Sequence, residues 1–125
     1  MKYLLDVNAL LAVSHAGPFY QRLRHWVSSQ NGAVYSTCAI TELGFIRVSM
    51  IRYKFDRATA ERALAYAKQN ITGYIDTLPP PRLAAWANKH SETTDSYLCQ
   101  LAAANGMKLA TFDQNIKDPA ACLIP

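Results

Sequence analysis

Tyr3-Leu4-Leu5-Asp6-Val7-Asn8-Ala9-Leu10-Leu11 is the stretch from which the chain is best read. An apolar run starts almost at the first residue, meets one carboxylate, passes Asn8 and resumes as Ala-Leu-Leu. This predicts a short buried strand over residues 3–6, with a helix following at once. An acid at the carboxyl end of a strand stands where open α/β sheets build their sites. It also stands where a helix needs a cap, and Asp and Asn are both good caps. Taken alone, the stretch favours the cap; the rest of the chain has to decide.

The chain has 125 residues, enough for one domain, and half of them are hydrophobic. A core of that size needs neither disulfides nor a structural metal. No apolar run approaches the ~18 residues of a membrane span. Asp6 interrupts the first run and only Lys2 precedes it, which is unlike a signal peptide. The expectation is a soluble cytoplasmic protein. Cys38, Cys99 and Cys122 are far apart in apolar contexts and read as buried free thiols, suited to a reducing compartment. No CxxC or HExxH spacing points to zinc. His15, His25 and His90 are scattered and read as surface or satisfied histidines. Thirteen Lys and Arg against nine Asp and Glu give a net charge of +4, compatible with an anionic partner. Between Asp6 and Asp56 the only acid is Glu42, among Arg22, Arg24, Arg47, Arg52 and Lys54.

The remaining elements follow in order. Residues 9–13 continue as a short helix, which Gly17-Pro18 breaks. Residues 19–29 place Phe19, Leu23, Trp26 and Val27 at helical spacing, and Asn31-Gly32 ends that helix. Residues 33–36 are β-prone. Residues 37–52 predict a long helix that is apolar nearly all round, hence buried, with Glu42 inside it. Asp56 starts a helix with Ala60, Ala63, Leu64 and Ala67 on one face. Residues 74–78 read as a third strand, Pro79-Pro80-Pro81 as a stiff turn and residues 82–89 as a helix. Ser91-Glu92-Thr93-Thr94 reads as a polar linker, after which Asp95 opens a helix over 96–105 closed by Asn105-Gly106. Residues 108–111 form a strand ending at Phe112-Asp113, and residues 121–124 make a last edge strand. Strands alternate with helices, so the class is α/β with a mainly parallel sheet of four to five strands.

Four carboxylates share a local signature. Asp6 and Asp113 follow strands, Asp95 stands at a helix start, and Glu42 is isolated in an apolar helix. Each has a plainer reading. Asp6 and Asp95 can be caps worth about 1 kcal/mol, and Asp113 can close an Asx-turn with Gln114-Asn115. Glu42 is hardest to explain plainly, because an unpaired carboxylate in an apolar setting is costly, and Arg47 sits at a poor helical spacing to pair with it. If the four converge, their repulsion requires divalent cations, and oxygen-only ligation selects Mg²⁺ or Mn²⁺ over zinc. Such a centre activates water for attack on phosphorus. Asn8 and Thr111 are then placed to orient carboxylates or waters.

Four pieces carry a family likeness: Leu5-Asp6-Val7-Asn8-Ala9-Leu10-Leu11, Thr41-Glu42-Leu43-Gly44-Phe45-Ile46-Arg47, Thr94-Asp95-Ser96-Tyr97-Leu98 and Leu109-Ala110-Thr111-Phe112-Asp113. In this order and spacing the chain resembles a PIN domain, and within that family the VapC-type toxins of bacterial toxin–antitoxin pairs. The resemblance covers essentially the whole chain, residues 1–125. It implies an α/β/α sandwich around a central parallel sheet, with acids clustered at its carboxyl edge. It implies Mg²⁺- or Mn²⁺-dependent cleavage of RNA by water, with Asp6, Glu42, Asp95 and Asp113 as catalytic and metal-binding acids. Asn8 and Thr111 match the family's accessory polar positions. It further implies a homodimer, silenced by a cognate VapB-like antitoxin whose C-terminal tail occupies a groove of the toxin. Some relatives carry a further acid soon after the last one; here those places are Gln114, Asn115 and Lys117, with Asp118 next, so one metal is the expectation.

For the RNA, Arg47 and Arg52, with Arg22, Arg24 and Lys54, are candidates for flanking phosphates. Tyr53 and Phe112 are candidates for stacking on an unpaired base. Two other classes compete. A phosphoacceptor receiver domain is also α/β with acids at strand ends, but it needs two adjacent acids after its first strand and a late Lys. A non-catalytic PIN-like binding module has no need of all four acids. After this comparison metal binding becomes the better reading of Asp6, with Asn8 the better candidate for the cap.

Overall fold

The computed structural model describes residues 1–125. Its elements are β1 (Lys2–Leu5), α1 (Val7–Ser14), α2 (Pro18–Ser28), β2 (Val34–Cys38), α3 (Ala39–Arg52), α4 (Arg57–Ala67), β3 (Gly73–Ile75), α5 (His90–Ala104), β4 (Lys108–Thr111) and β5 (Ala121–Leu123), with a single 3₁₀ turn at Lys68–Asn70. The five strands form one parallel sheet in the order β3-β2-β1-β4-β5. The chain first builds outward from β1 to β3, then crosses to the other side of β1 and builds β4 and β5. The order therefore reverses between β1 and β4, and ligand sites of open sheets form at such a reversal, outside the strands' carboxyl ends. Leu5 pairs with Ala110 there, so Asp6 and Thr111 leave the sheet side by side.

Period-two alternation divides β1 between two cores. Tyr3 and Leu5 face α1, α2, α3 and α4, packing with Leu10, Trp26, Phe45 and Leu64. Leu4 faces α5, packing with Leu98, Leu101, Cys99 and Leu109. The result is the α/β/α sandwich expected, with five strands. No helix is long and apolar enough to cross a membrane.

Several expectations shift. Helix α3 is not buried on most faces: Thr41, Gly44, Phe45 and Ser49 are buried, while Leu43 is 66% and Ile51 64% exposed. Apolar composition here serves a surface as well as a core. Strand β2 runs to Cys38, so Thr37 is a strand residue, and β3 stops at Ile75, leaving Asp76 exposed. Residues 82–89 form no helix. The amides of Arg82 and Ala84 are taken by the side chains of Gln100 and Ser96, so they do not enter a helical ladder. Helix α5 begins at His90, with the Glu92 side chain accepting the Lys89 amide at 3.0 Å. The supposed polar linker is its first turn, and Asp95 lies one turn inside the helix, not at its start.

The three cysteines are free, with Cys38 and Cys99 buried and Cys122 half-buried. His15 is a satisfied core histidine: it is buried, shares a 3.1 Å hydrogen bond with Ser49 and stacks on Tyr53. His25 and His90 are exposed.

Candidate active site

Asp6 caps α1 and stands at the switch point of the sheet. Its Oδ1 accepts the Val7 amide at 2.8 Å and its Oδ2 accepts the Thr111 hydroxyl at 2.7 Å. Asn8 does not cap the helix. It reaches across to β4, where its Oδ1 accepts the Phe112 amide at 3.1 Å and its Nδ2 donates to Thr111 Oγ1 at 3.4 Å. The Thr111 hydroxyl also accepts the Asp113 amide at 3.0 Å. A single buried hydroxyl thus ties the Asp6 carboxylate at the end of β1 to the backbone of Asp113 just after β4. Asp113 Oδ1 accepts the Asn115 amide at 2.9 Å, the Asx-turn expected of it.

Asp95 is half-buried on α5, against the same edge. Burial pushes its carboxyl up to about 6, and the negative charges of Asp6, Asp113 and Glu92 push the same way. Burial also raises Asp6, against the hydrogen bonds from Thr111 and Val7, and Asp113 adds to the rise. Asp6, Asp95 and Asp113 therefore form one repelling group.

Glu42 stands apart from these three. In the first turn of α3 it accepts the Thr37 hydroxyl and pairs with the Lys68 ammonium at 2.9 Å. Lys68 answers the question of how this acid is tolerated. Sequence reasoning missed it because the partner comes from the far end of α4, beyond the reach of any helical spacing rule. Asp118, the next acid after Asp113, accepts from Trp86 Nε1 and from the Ala120 amide, both at 2.9 Å.

No three of these acids converge closely enough, as they stand, to hold one ion. The chemistry of the donors nevertheless fits a hard divalent cation. All are oxygens, and at least one carboxyl is lifted toward neutrality by burial and like charge, a penalty that a bound cation would offset.

The basic residues divide. Arg22 is structural: it donates to the carbonyls of Ile124 and Pro125 and lies 4.9 Å from the Phe112 ring centre. Phe112 is buried against Phe19 and is no stacking platform. Arg24 donates to the Tyr20 hydroxyl. Arg47, Arg52 and Lys54 are exposed. Tyr53 is partly exposed but already stacked on His15.

The chain matches the PIN domain family over residues 3–121. It is 34% identical to the ribonuclease VapC44 of Mycobacterium tuberculosis, over 93% of this chain and 89% of that protein. It is 30% identical to the ribonuclease VapC38 of the same organism, over 90% and 86%. Among solved structures, VapBC2 from Rickettsia felis bound to a DNA fragment from their promoter matches with a TM-score of 0.62 at 16% identity, covering 98% of this chain and 97% of that one, a likeness of fold. The five-stranded parallel sheet, the acids gathered at its switch point and these relatives lead to one assignment: the chain belongs to the PIN-domain family, in the branch that includes the VapC ribonucleases.

Proposed function

We propose that this protein is the toxin of a toxin–antitoxin pair, a divalent-metal-dependent endoribonuclease acting in the cytoplasm. The observation that carries the reading is the switch point of the sheet, where the Thr111 hydroxyl joins the Asp6 carboxylate to the Asp113 backbone and the half-buried Asp95 adds its charge to theirs. One Mg²⁺ or Mn²⁺ held by these three acids, with Glu42 swinging in from α3, would supply charge neutralisation at the phosphate and activation of the attacking water. Thr111 aims the Asp6 carboxylate by donating to Oδ2, a bond that works against the rise burial causes in its pKa. Asn8 fixes the turn after β4 and so the position of Asp113. Asp118 is committed to Trp86, and Gln114, Asn115 and Lys117 supply no acid, which supports one metal over two.

The exposed Arg47 and Arg52 are suited to flanking phosphates of RNA. A VapB-like antitoxin fits an apolar groove of about 520 Å³ between α1, α2 and α4, where Val13, Tyr20, Val27 and Tyr66 line the walls. The exposed apolar residues of α3 suit a homodimer.

The test is RNA cleavage by the purified chain in Mg²⁺, in EDTA, and with Asp6→Asn or Asp95→Asn. Loss of at least about a hundredfold in each of the last three arms is expected. Cleavage that survives EDTA, or full activity in both variants, overturns the reading.

A further inference from the structure

Glu42 is the one acid of the four that carries a cation of its own. Its Oε2 accepts both the Thr37 hydroxyl and, at 2.9 Å, the Lys68 ammonium. No Lys or Arg lies within ion-pair distance of Asp6, Asp95 or Asp113. Three elements meet to make the Glu42 contact. Thr37 is the penultimate residue of β2, Glu42 lies in the first turn of α3, and Lys68 is the C-cap of α4. The partial negative charge of that helix end favours an ammonium there. The Tyr74 ring centre lies 5.5 Å from Lys68 Nζ and adds a second attraction.

The two partners are shielded unequally. The Glu42 side chain is 16% exposed and that of Lys68 37%. A carboxylate so far out of water needs a cation beside it. The ammonium sits on a flexible stem and reaches solvent, so it can let go and be hydrated. The contact is thus built to be held and also to be exchanged. A divalent cation carries twice the charge of an ammonium, and the two repel each other when drawn to the same carboxylate.

We propose that Lys68 is an exchange cation for the metal centre: it holds Glu42 while the metal is absent, and the divalent ion displaces it to recruit this fourth acid. The proposal rests on the metal-dependent reading above, in which Glu42 joins Asp6, Asp95 and Asp113. Lys68 is then a positioning residue that acts through Glu42 and sets the affinity of the centre for its ion. In the metal-free chain it neutralises Glu42, which keeps a fourth negative charge from joining three that already repel. On metal loading its attraction for Glu42 has to be overcome, so its presence weakens the binding of Mg²⁺.

The experiment titrates Mg²⁺ into the full-length chain by calorimetry, without RNA. The proteins are the wild type, Lys68→Met, Lys68→Arg, Glu42→Gln and the double variant Lys68→Met with Glu42→Gln. Lys68→Met should bind Mg²⁺ about three- to fivefold more tightly, the size of effect expected from one partly exposed ion pair. In EDTA it should melt below the wild type, because Glu42 has lost its partner. A merely structural lysine would lower the melting temperature without tightening the metal. Lys68→Arg keeps the charge and should bind Mg²⁺ as the wild type does. In the Glu42→Gln background, removing Lys68 should leave the affinity nearly unchanged, since the coupling runs through Glu42. Circular dichroism checks each fold, and Lys68→Gln carries the same test should Lys68→Met not fold. Binding by Lys68→Met that equals the wild type or is weaker, or tightening that persists in full with Glu42→Gln, overturns the proposal and leaves the metal centre standing. A wild type that takes up no Mg²⁺ overturns the metal-dependent reading itself, and this inference with it.

Discussion

Thr111 shows how much one buried hydroxyl can organise. It donates to the Asp6 carboxylate and accepts the Asp113 backbone amide, so it fixes one acid and the backbone that carries another. Thr111→Val keeps the shape and removes both of these bonds and the one from Asn8. A fall in kcat of about 10–100-fold with little change of fold is expected, checked by RNA cleavage kinetics and far-UV circular dichroism; wild-type kcat contradicts the role. Asp95 makes a second prediction, on stability. Its carboxyl is raised from the ordinary 3.8 to about 6, so the folded chain holds that proton more tightly than the unfolded chain. The stability it contributes is complete below pH 4 and is lost as pH rises through about 6. In EDTA at pH 7.5, Asp95→Asn should therefore melt above the wild type. Mg²⁺ should raise the Tm of the wild type and leave the variant nearly unmoved. A lower Tm for the variant in EDTA contradicts this.

At the scale of elements, the site depends on close packing of α1 against α3. Gly44 permits it: a Cβ there would lie 2.6 Å from Val7 Cγ2, and Val7 is β-branched and stiff. Val7 adjoins Asp6, so any displacement of α1 moves the acid. Gly44→Ala should cost about 1–3 kcal/mol in urea denaturation and reduce cleavage; an unchanged midpoint would show that the helices adjust freely. Helix α5 illustrates where local reading stops. Ser91-Glu92-Thr93-Thr94 looks like a linker because polar residues dominate, but Glu92 reaches back to the Lys89 amide and starts the helix early. Residues 82–89 look helical by composition, but α5 side chains claim their amides from across the fold. Propensity is a weak prior, and such tertiary bonds override it.

For the whole molecule, α3 carries the prediction. Leu43, Arg47, Met50 and Ile51 recur at helical spacing and are all exposed. Burying such a face in a homodimer removes apolar surface from water. Sedimentation should show a dimer, and Leu43→Glu with Ile51→Glu should convert it to a monomer without unfolding. A monomeric wild type contradicts this use of the face.

The sequence by itself determined the alternation of strands and helices, the parallel sheet, and the chain order of Asp6, Glu42, Asp95 and Asp113. Those properties follow from apolar periodicity and from turn residues, which act over a few positions. Only the tertiary structure decided how the acids stand relative to one another. It set Asp6, Asp95 and Asp113 in one electrostatic group, turned Glu42 to Lys68, made Arg22 a tether for the last residues, and laid the prolines along α5. The energy of a carboxylate depends on the charges, donors and water within a few ångströms of it. Those neighbours come from residues far away in the chain, and the strand order that gathers them cannot be read from any one stretch, including the one that contains Asp6.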